Sequence, residues 1–461
     1  MMQDDVDQTA HKDGAYLKHS LGACDCGLNH SADDLLQFAA AQNPEQAIMQ
    51  QLQQAAFVQM FPQADFRRRF LRALGASTAL SALSTVLPLQ AFSAFAATEK
   101  APGPLEKKSI NVGFLPITCA TPLIFAEQLG LFARQGLDVK LQKIAGVSLI
   151  RDKMINGELD FSQQVMPVAL TMSSGMGAPA TPVRILSVLN QNGNSLVLAM
   201  KHKDNRDPRK WKGFKFAVPF ESSQQAVQLR YYLARHGLDP DRDVSFRIVP
   251  PSEYVSNLRT GNVDGFLGGE PGGQRAVYEG AGFIHILSRD IWKGHPCCSV
   301  TALESFIKQH PNTHLAFYRA VIGASLHVSK PGSRVGMAKI LSAPNYINQP
   351  ELVIDQVLTG KFADGLGQIR NVPDRIEFQP FPHYSSGVFL LSELRRWNLI
   401  KHDLDYKKLA QEVMLATDAK RLMEDMGTAA PKPAFGKEYI LGDEFDANKP
   451  EDYLKRRMGR A

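Results

Sequence analysis

The chain has 461 residues, 44% apolar and 21% charged, with a formal net charge of +6. It is long enough for more than one lobe, and its positive charge is too slight for a nucleic-acid footprint. Five cysteines are too few for a disulfide scaffold, and no apolar run after residue 97 reaches the length of a membrane span.

Residues 1–65 precede everything that reads as a folded domain. They carry Cys24-Asp25-Cys26 and His30, thiolates and an imidazole spaced to hold a soft metal. A prosegment lost on export, or a start at Met60, accounts for the segment equally well. Residues 66–96 have the three parts of an export signal: basic Arg67-Arg68-Arg69 and Arg72, a weakly apolar stretch over 73–89, and Ala94-Phe95-Ala96. Arg67-Arg68 followed by Phe70 and Leu71 resembles a twin-arginine signal, which exports folded proteins. The alternative is an uncleaved basic helix. Cleavage is predicted after Ala96, and Pro102 and Pro104 mark a linker over 97–107.

The next stretch predicts a strand over 110–115, a loop over 116–121 and an amphipathic helix ended near Gly130 and Gly136. A second strand starts at Asp138. In parallel α/β sheets ligands sit beyond the carboxyl ends of the strands, where helix N-termini present amides. That places Thr118, Cys119 and Thr121 at the mouth of a candidate site. Strands follow over 161–165, 183–189 and 195–200, with helices between and a polar turn at 190–194. The charged segment 201–212 reads as the crossing into a second lobe. There the pattern restarts, with strands over 214–218, 244–248, 263–267 and 283–287 and helices over 224–236 and 253–260. Gly268 to Gly273 forms a glycine-rich loop around Glu270, which lacks the lysine of a phosphate-binding loop. The chain crosses back near His295 to Cys298 and is then mostly helical, at 302–309, 312–329, 333–341, 349–358, 385–397 and 418–426. The fold class is α/β with largely parallel sheets. Residues 108–205 build one lobe, 206–298 the second, and 299–461 return to the first and add C-terminal helices.

No GxSxG, HExxH, Walker loop or CxxC occurs, and no carboxylate has an evident partner for acid–base work. The reading is therefore binding without catalysis. Cys297-Cys298 near the crossing, with Cys119 and Met166, suits a vicinal disulfide, a soft-metal site or small apolar packing.

The segments GFLPITCATPLIFAEQLGLFARQGLDV, IRDKMINGELDFSQQVMPVAL, NQNGNSLVLA, LRYYLARHGLDPDRDV, PPSEYVSNLRTGNVDGFLGGEP and PHYSSGVFLLSELRRWNLI follow in one order. They resemble the nitrate- and bicarbonate-binding proteins of ABC importers and their nitrate-sensing relatives, over nearly all of 108–430. The resemblance implies a two-lobed periplasmic-binding-protein fold of type II with a helical C-terminal part. It implies a monomer in the periplasm, peripheral to the inner membrane at most, that passes a small oxyanion to permease and ATPase subunits. In nitrate binders a tryptophan stands in the segment matched here by Gly146-Val147-Ser148, and Val147 takes that place. Gln225 matches a histidine, Asn194 follows the polar turn, and Glu270 matches the acidic position of the GEP turn. In the bicarbonate-binding relative a glutamate helps hold calcium beside the anion, so Glu270 is the candidate ligand for calcium here. A desolvated carboxylate next to an anion requires a cation, a proton, or an orientation away from it. Further polar candidates are Ser148, Gln163, Gln164, Ser222, Ser223 and Gln224. Alternative functions are a nitrate or nitrite sensor, a binder of an organosulfonate or thiamine-precursor-like solute, and an enzyme or redox-metal protein.

Overall fold

The computed structural model describes residues 103–458 except 177 and 335. The twin-arginine stretch and Cys24, Cys26 and His30 lie outside the described residues. Strand β1 (Ser109–Phe114) buries Ile110, Val112 and Phe114 completely, the period of two that a sheet face imposes. It pairs in parallel with β2 (Asp138–Lys143) and β3 (Phe161–Val165). Next to β3, β10 (Pro296–Leu303) runs antiparallel, then β4 (Val183–Asn192), and β13 (Ile376–Glu377) closes the edge. A second sheet holds β5 (Asn194–Ala199), β6 (Lys215–Val218), β7 (Ser245–Ile248), β8 (Gly265–Gly269) and β9 (Gly282–Leu287) in the order β7-β6-β8-β5-β9. The βαβ units are parallel as expected, but β4, β5 and β10, the strands nearest the crossings, are antiparallel to their neighbours.

The first crossing is at Gly193, not at 201–212. β4 ends at Asn192 and β5 begins at Asn194 in the other sheet. Asn192 and Gly193 take left-handed φ of 57° and 74°, the region that asparagine and glycine tolerate. The QNGN motif looks like a hairpin turn because the local backbone is the same; both flanking strands are almost wholly buried, so each belongs to a different core. Residues 201–212 instead form short 3-10 turns, Met200–His202 and Pro208–Lys210. The return passes beside the outward strand, where the Asn192 N–H donates to the His295 carbonyl at 3.0 Å.

Helix α1 (Thr121–Gln128) is buried from Thr121 through Ala126, so it is enclosed all round where one apolar face was expected. The covering element is α6 (Pro311–Val328), whose Phe317 stacks on Phe132 and Phe161 at 5.2 and 3.7 Å between centroids. Between these, α2 (Val147–Ile155), α3 (Met166–Ser174), α4 (Gln224–Arg235) and α5 (Gly272–Tyr278) follow strands β2, β3, β6 and β8.

Residues 299–461 do not all return to the first lobe. The hairpin of β11 (Lys361–Ala363) and β12 (Ile369–Asn371) inserts Phe362 into the second lobe's core beside Phe266 and Ile284. A second hairpin, β14 (Lys437–Ile440) and β15 (Asp443–Asp446), bridges Ile440 to Trp292, and its Asp443 accepts the Tyr231 hydroxyl at 2.7 Å. No helix among the described residues is long and apolar enough to cross a membrane.

Candidate functional site

The lobes meet where the turn after β1 reaches the end of β8. The Thr118 N–H and hydroxyl both donate to the Glu270 carbonyl, at 2.7 and 3.0 Å. Thr118 is thus at the junction as predicted, but its hydroxyl is spent on the opposite lobe. The Thr121 hydroxyl donates to the Thr118 carbonyl at 2.7 Å and stabilises the same turn.

Deeper in the junction lies a network of amides. Gln224 and Gln225 open α4 and are buried, because Ser223 caps the helix by accepting the Ala226 N–H at 3.1 Å and turns the first two side chains inward. The Asn194 amide donates to Gln224 Oε1 at 3.3 Å and its oxygen accepts Gln225 Nε2 at 3.0 Å. The junction also receives three thiols. Cys119 Sγ lies 3.7 Å from Cys297 Sγ, which lies 3.8 Å from Cys298 Sγ. Cys297 reaches across the lobes to Asn194 Oδ1 at 3.4 Å, and Gln225 Nε2 donates to it at 3.5 Å. Burial pushes the Cys119 thiol well up, while hydrogen bonds with Cys119 and Cys298 hold Cys297 well below the ordinary thiol range. His295 is packed between Ser288 and Pro296, and burial lowers it to about 4, so its ring is neutral.

In this network Gln224 Nε2 and Gln225 Oε1 are buried without a protein partner, as are Gln164 Oε1, Ser222 Oγ and Ser299 Oγ elsewhere among the described residues. Native interiors pair almost all such groups, so the unpaired amide atoms of Gln224 and Gln225 at the lobe junction suit a polar guest. An open groove of about 430 Å³ forms the outer junction, with Ile117 and Lys143 on one side and Arg259 and Arg275 on the other.

Glu270 is held by groups of the protein itself. Its Oε1 accepts the Ser195 hydroxyl at 2.8 Å and Arg375 Nη2 at 2.5 Å, and its Oε2 accepts the Gln274 N–H at 3.0 Å. Glu270 and Arg375 are both fully buried. The cation that physics demands beside this carboxylate is therefore a guanidinium, and both carboxylate oxygens already have protein partners. Arg375 also stacks over Phe362, 4.1 Å from the ring centroid, and bonds Gln274 Oε1 at 2.7 Å. Sequence reasoning missed Arg375 because it lies 105 residues from Glu270, beyond any local spacing. Val147 is buried at the start of α2, but Ser148 is exposed on the next position of the turn and does not join the network.

Two α/β lobes linked by antiparallel crossing strands, with polar groups gathered where they meet, define a periplasmic-binding-protein fold. The NMT1-like family model matches residues 103–342, and the chain belongs to that family. It is 27% identical over 430 residues to a nitrate/nitrite binding protein, NrtA, of Nostoc, covering 84% of this chain and 97% of that one. It is 30% identical over 391 residues to a bicarbonate-binding protein, CmpA, of Synechococcus elongatus, covering 76% and 87%. Among solved structures, the periplasmic nitrate-binding protein NrtA from Synechocystis superposes with a TM-score of 0.73 at 25% identity, over 77% of this chain and 100% of that one.

Proposed function

We propose that this chain is the exported solute-binding component of an ABC importer, holding a small oxyanion of the nitrate, nitrite or bicarbonate kind without chemical change. The observation that carries the reading is the Asn194–Gln224–Gln225 amide cluster, buried at the junction with the Gln224 Nε2 donor unpaired, while the unpaired Gln225 Oε1 is an acceptor that suits the O–H of bicarbonate. Dispersed negative charge is well matched by amide and hydroxyl donors near a helix N-terminus, and Glu270 does not oppose it because Arg375 neutralises it. Periplasmic delivery by the twin-arginine route rests on Arg67-Arg68 and the Ala94-Phe95-Ala96 site. Work as a monomer with permease and ATPase subunits is part of this proposal, and the likeness to nitrate- and bicarbonate-binding proteins supports its transport side.

The test is thermal unfolding of the chain with nitrate, nitrite, bicarbonate and an alkanesulfonate, with and without calcium. A ligand at a hundred times its Kd stabilises the folded state by about 2.7 kcal/mol. One of the first three should raise the midpoint, and Gln225→Ala should abolish the rise. A response only to the sulfonate, or one that Gln225→Ala leaves intact, overturns the reading.

A further inference from the structure

We propose that Cys119, Cys297 and Cys298 form a binding site for a thiophilic d10 metal ion, Cu(I) or Zn(II), on the first lobe's side of the junction. The oxyanion reading neither requires nor supplies it. The three sulfurs lie within 4.8 Å of one another and are fully buried. At 3.7 and 3.8 Å they are separate thiols, far beyond a bond of roughly 2.05 Å. Yet a point equidistant from all three would lie about 2.1–2.4 Å from each, which brackets the metal–thiolate length of roughly 2.3 Å for zinc. An ion fits between them without backbone movement.

The backbone is shaped to make this set. Neighbouring residues on a regular strand point to opposite faces, which would separate Cys297 from Cys298. The pairing of β10 with β4 is irregular between Pro296 and Cys298 and again between Cys298 and Ser299. Such an irregularity re-aims side chains, and here it leaves adjacent sulfurs 3.8 Å apart. Cys119 comes from the turn after β1 in the same sheet, so all donors belong to one lobe and the site is preformed whether the lobes are open or closed. The other lobe covers it with Asn194 and Gln225, both within hydrogen-bonding reach of Cys297. Lobe opening uncovers the thiols and gives the ion its path. Soft sulfur donors select Cu(I) or Zn(II) over hard cations such as calcium. Three sulfurs complete Cu(I), and a fourth ligand to Zn(II) would come from solvent or the solute. Binding releases the thiol protons to solvent.

The experiment uses the full chain carrying Cys24→Ser and Cys26→Ser, reduced and kept anaerobic, titrated with Cu(I) and with Zn(II) against chromophoric competitors. One ion per chain is expected, with three sulfur neighbours by X-ray absorption. Cys119→Ser or Cys297→Ser should weaken binding at least tenfold. As a check independent of variant folding, the bound metal should protect all three thiols from alkylation, read by mass spectrometry. Sub-stoichiometric binding, full affinity in Cys119→Ser/Cys297→Ser/Cys298→Ser, or thiols alkylated as fast with equimolar metal as without it would each overturn the proposal.

Discussion

Replacing Arg375 with methionine tests whether Glu270 is a structural carboxylate. The substitution keeps an unbranched chain against Phe362 but removes the guanidinium 2.5 Å from a fully buried carboxylate. The Ser195 hydroxyl and Gln274 N–H would remain, two dipoles facing an uncompensated charge. Removing one partner of such a buried pair costs about 3–5 kcal/mol, because the other is left charged and desolvated. Glu270→Gln should cost a comparable amount for the opposite reason. The double variant Glu270→Gln/Arg375→Met leaves no orphan charge and should lose much less than the sum of the two, a coupling of several kcal/mol where independent sites add within about 0.5 kcal/mol. Urea denaturation followed by far-UV circular dichroism measures all four proteins. A loss below about 1 kcal/mol for Arg375→Met, or additive single losses, refutes the reasoning. Calcium gives a second discriminator: if Glu270 is neutralised as described, millimolar calcium should not move the urea midpoint. A calcium-dependent rise that Glu270→Gln removes would return the carboxylate to a metal site.

Acid should weaken the fold through histidine. His285, His295, His314 and His327 are each lowered by burial from 6.5 to about 4. The unfolded chain therefore takes up protons first, so stability is complete above about pH 6.5 and is lost as the pH falls towards 4. A urea midpoint that does not fall between about pH 7 and about pH 5 would contradict this, and His314→Gln should flatten the slope. Gly268→Ala should cost about 1–3 kcal/mol by overpacking, since its Cβ would sit 2.2 Å from Tyr254 Cε2 in a ring stacked on Phe266; unchanged urea unfolding would show that the ring can yield. Ser223→Ala should cost about 1 kcal/mol as a lost helix cap, whereas Ser222→Ala should weaken the solute response with little loss of stability. Finding these two effects exchanged in paired thermal and ligand titrations would reverse the assignment.

The parallel βαβ units were legible because period-two strands and glycine-stopped helices are local features. The ends of β1, β3 and β8, with Thr118 and Cys119, follow directly from that pattern, whereas Gln225 is reached only through the family resemblance. The crossing at Gly193 was not legible: a left-handed Asn-Gly pair has the same backbone in a hairpin turn as in a passage between sheets, and only pairing with β10 and β8 distinguishes them. Ser148 stands outside the buried network for a related reason. It follows Val147, but one helical step of about 100° carries it from the interior to solvent. Arg375 and the clustering of Cys119 with Cys297, 178 residues apart, are products of tertiary folding alone.

The two C-terminal hairpins set the limits of any graft between relatives. Residues 194–291 carry every strand of the second sheet, yet they do not carry all of that lobe. Phe362 fills its core, the Ile284 N–H donates to the Asp364 carbonyl at 2.9 Å, and the Leu441 N–H to the Ile291 carbonyl at 2.8 Å. A chimaera that exchanges only the contiguous segment would inherit a foreign plug and mismatched backbone partners. An exchange that preserves solubility has to carry 360–372 and 437–446 with it, so the transferable unit in this chain is three separate stretches.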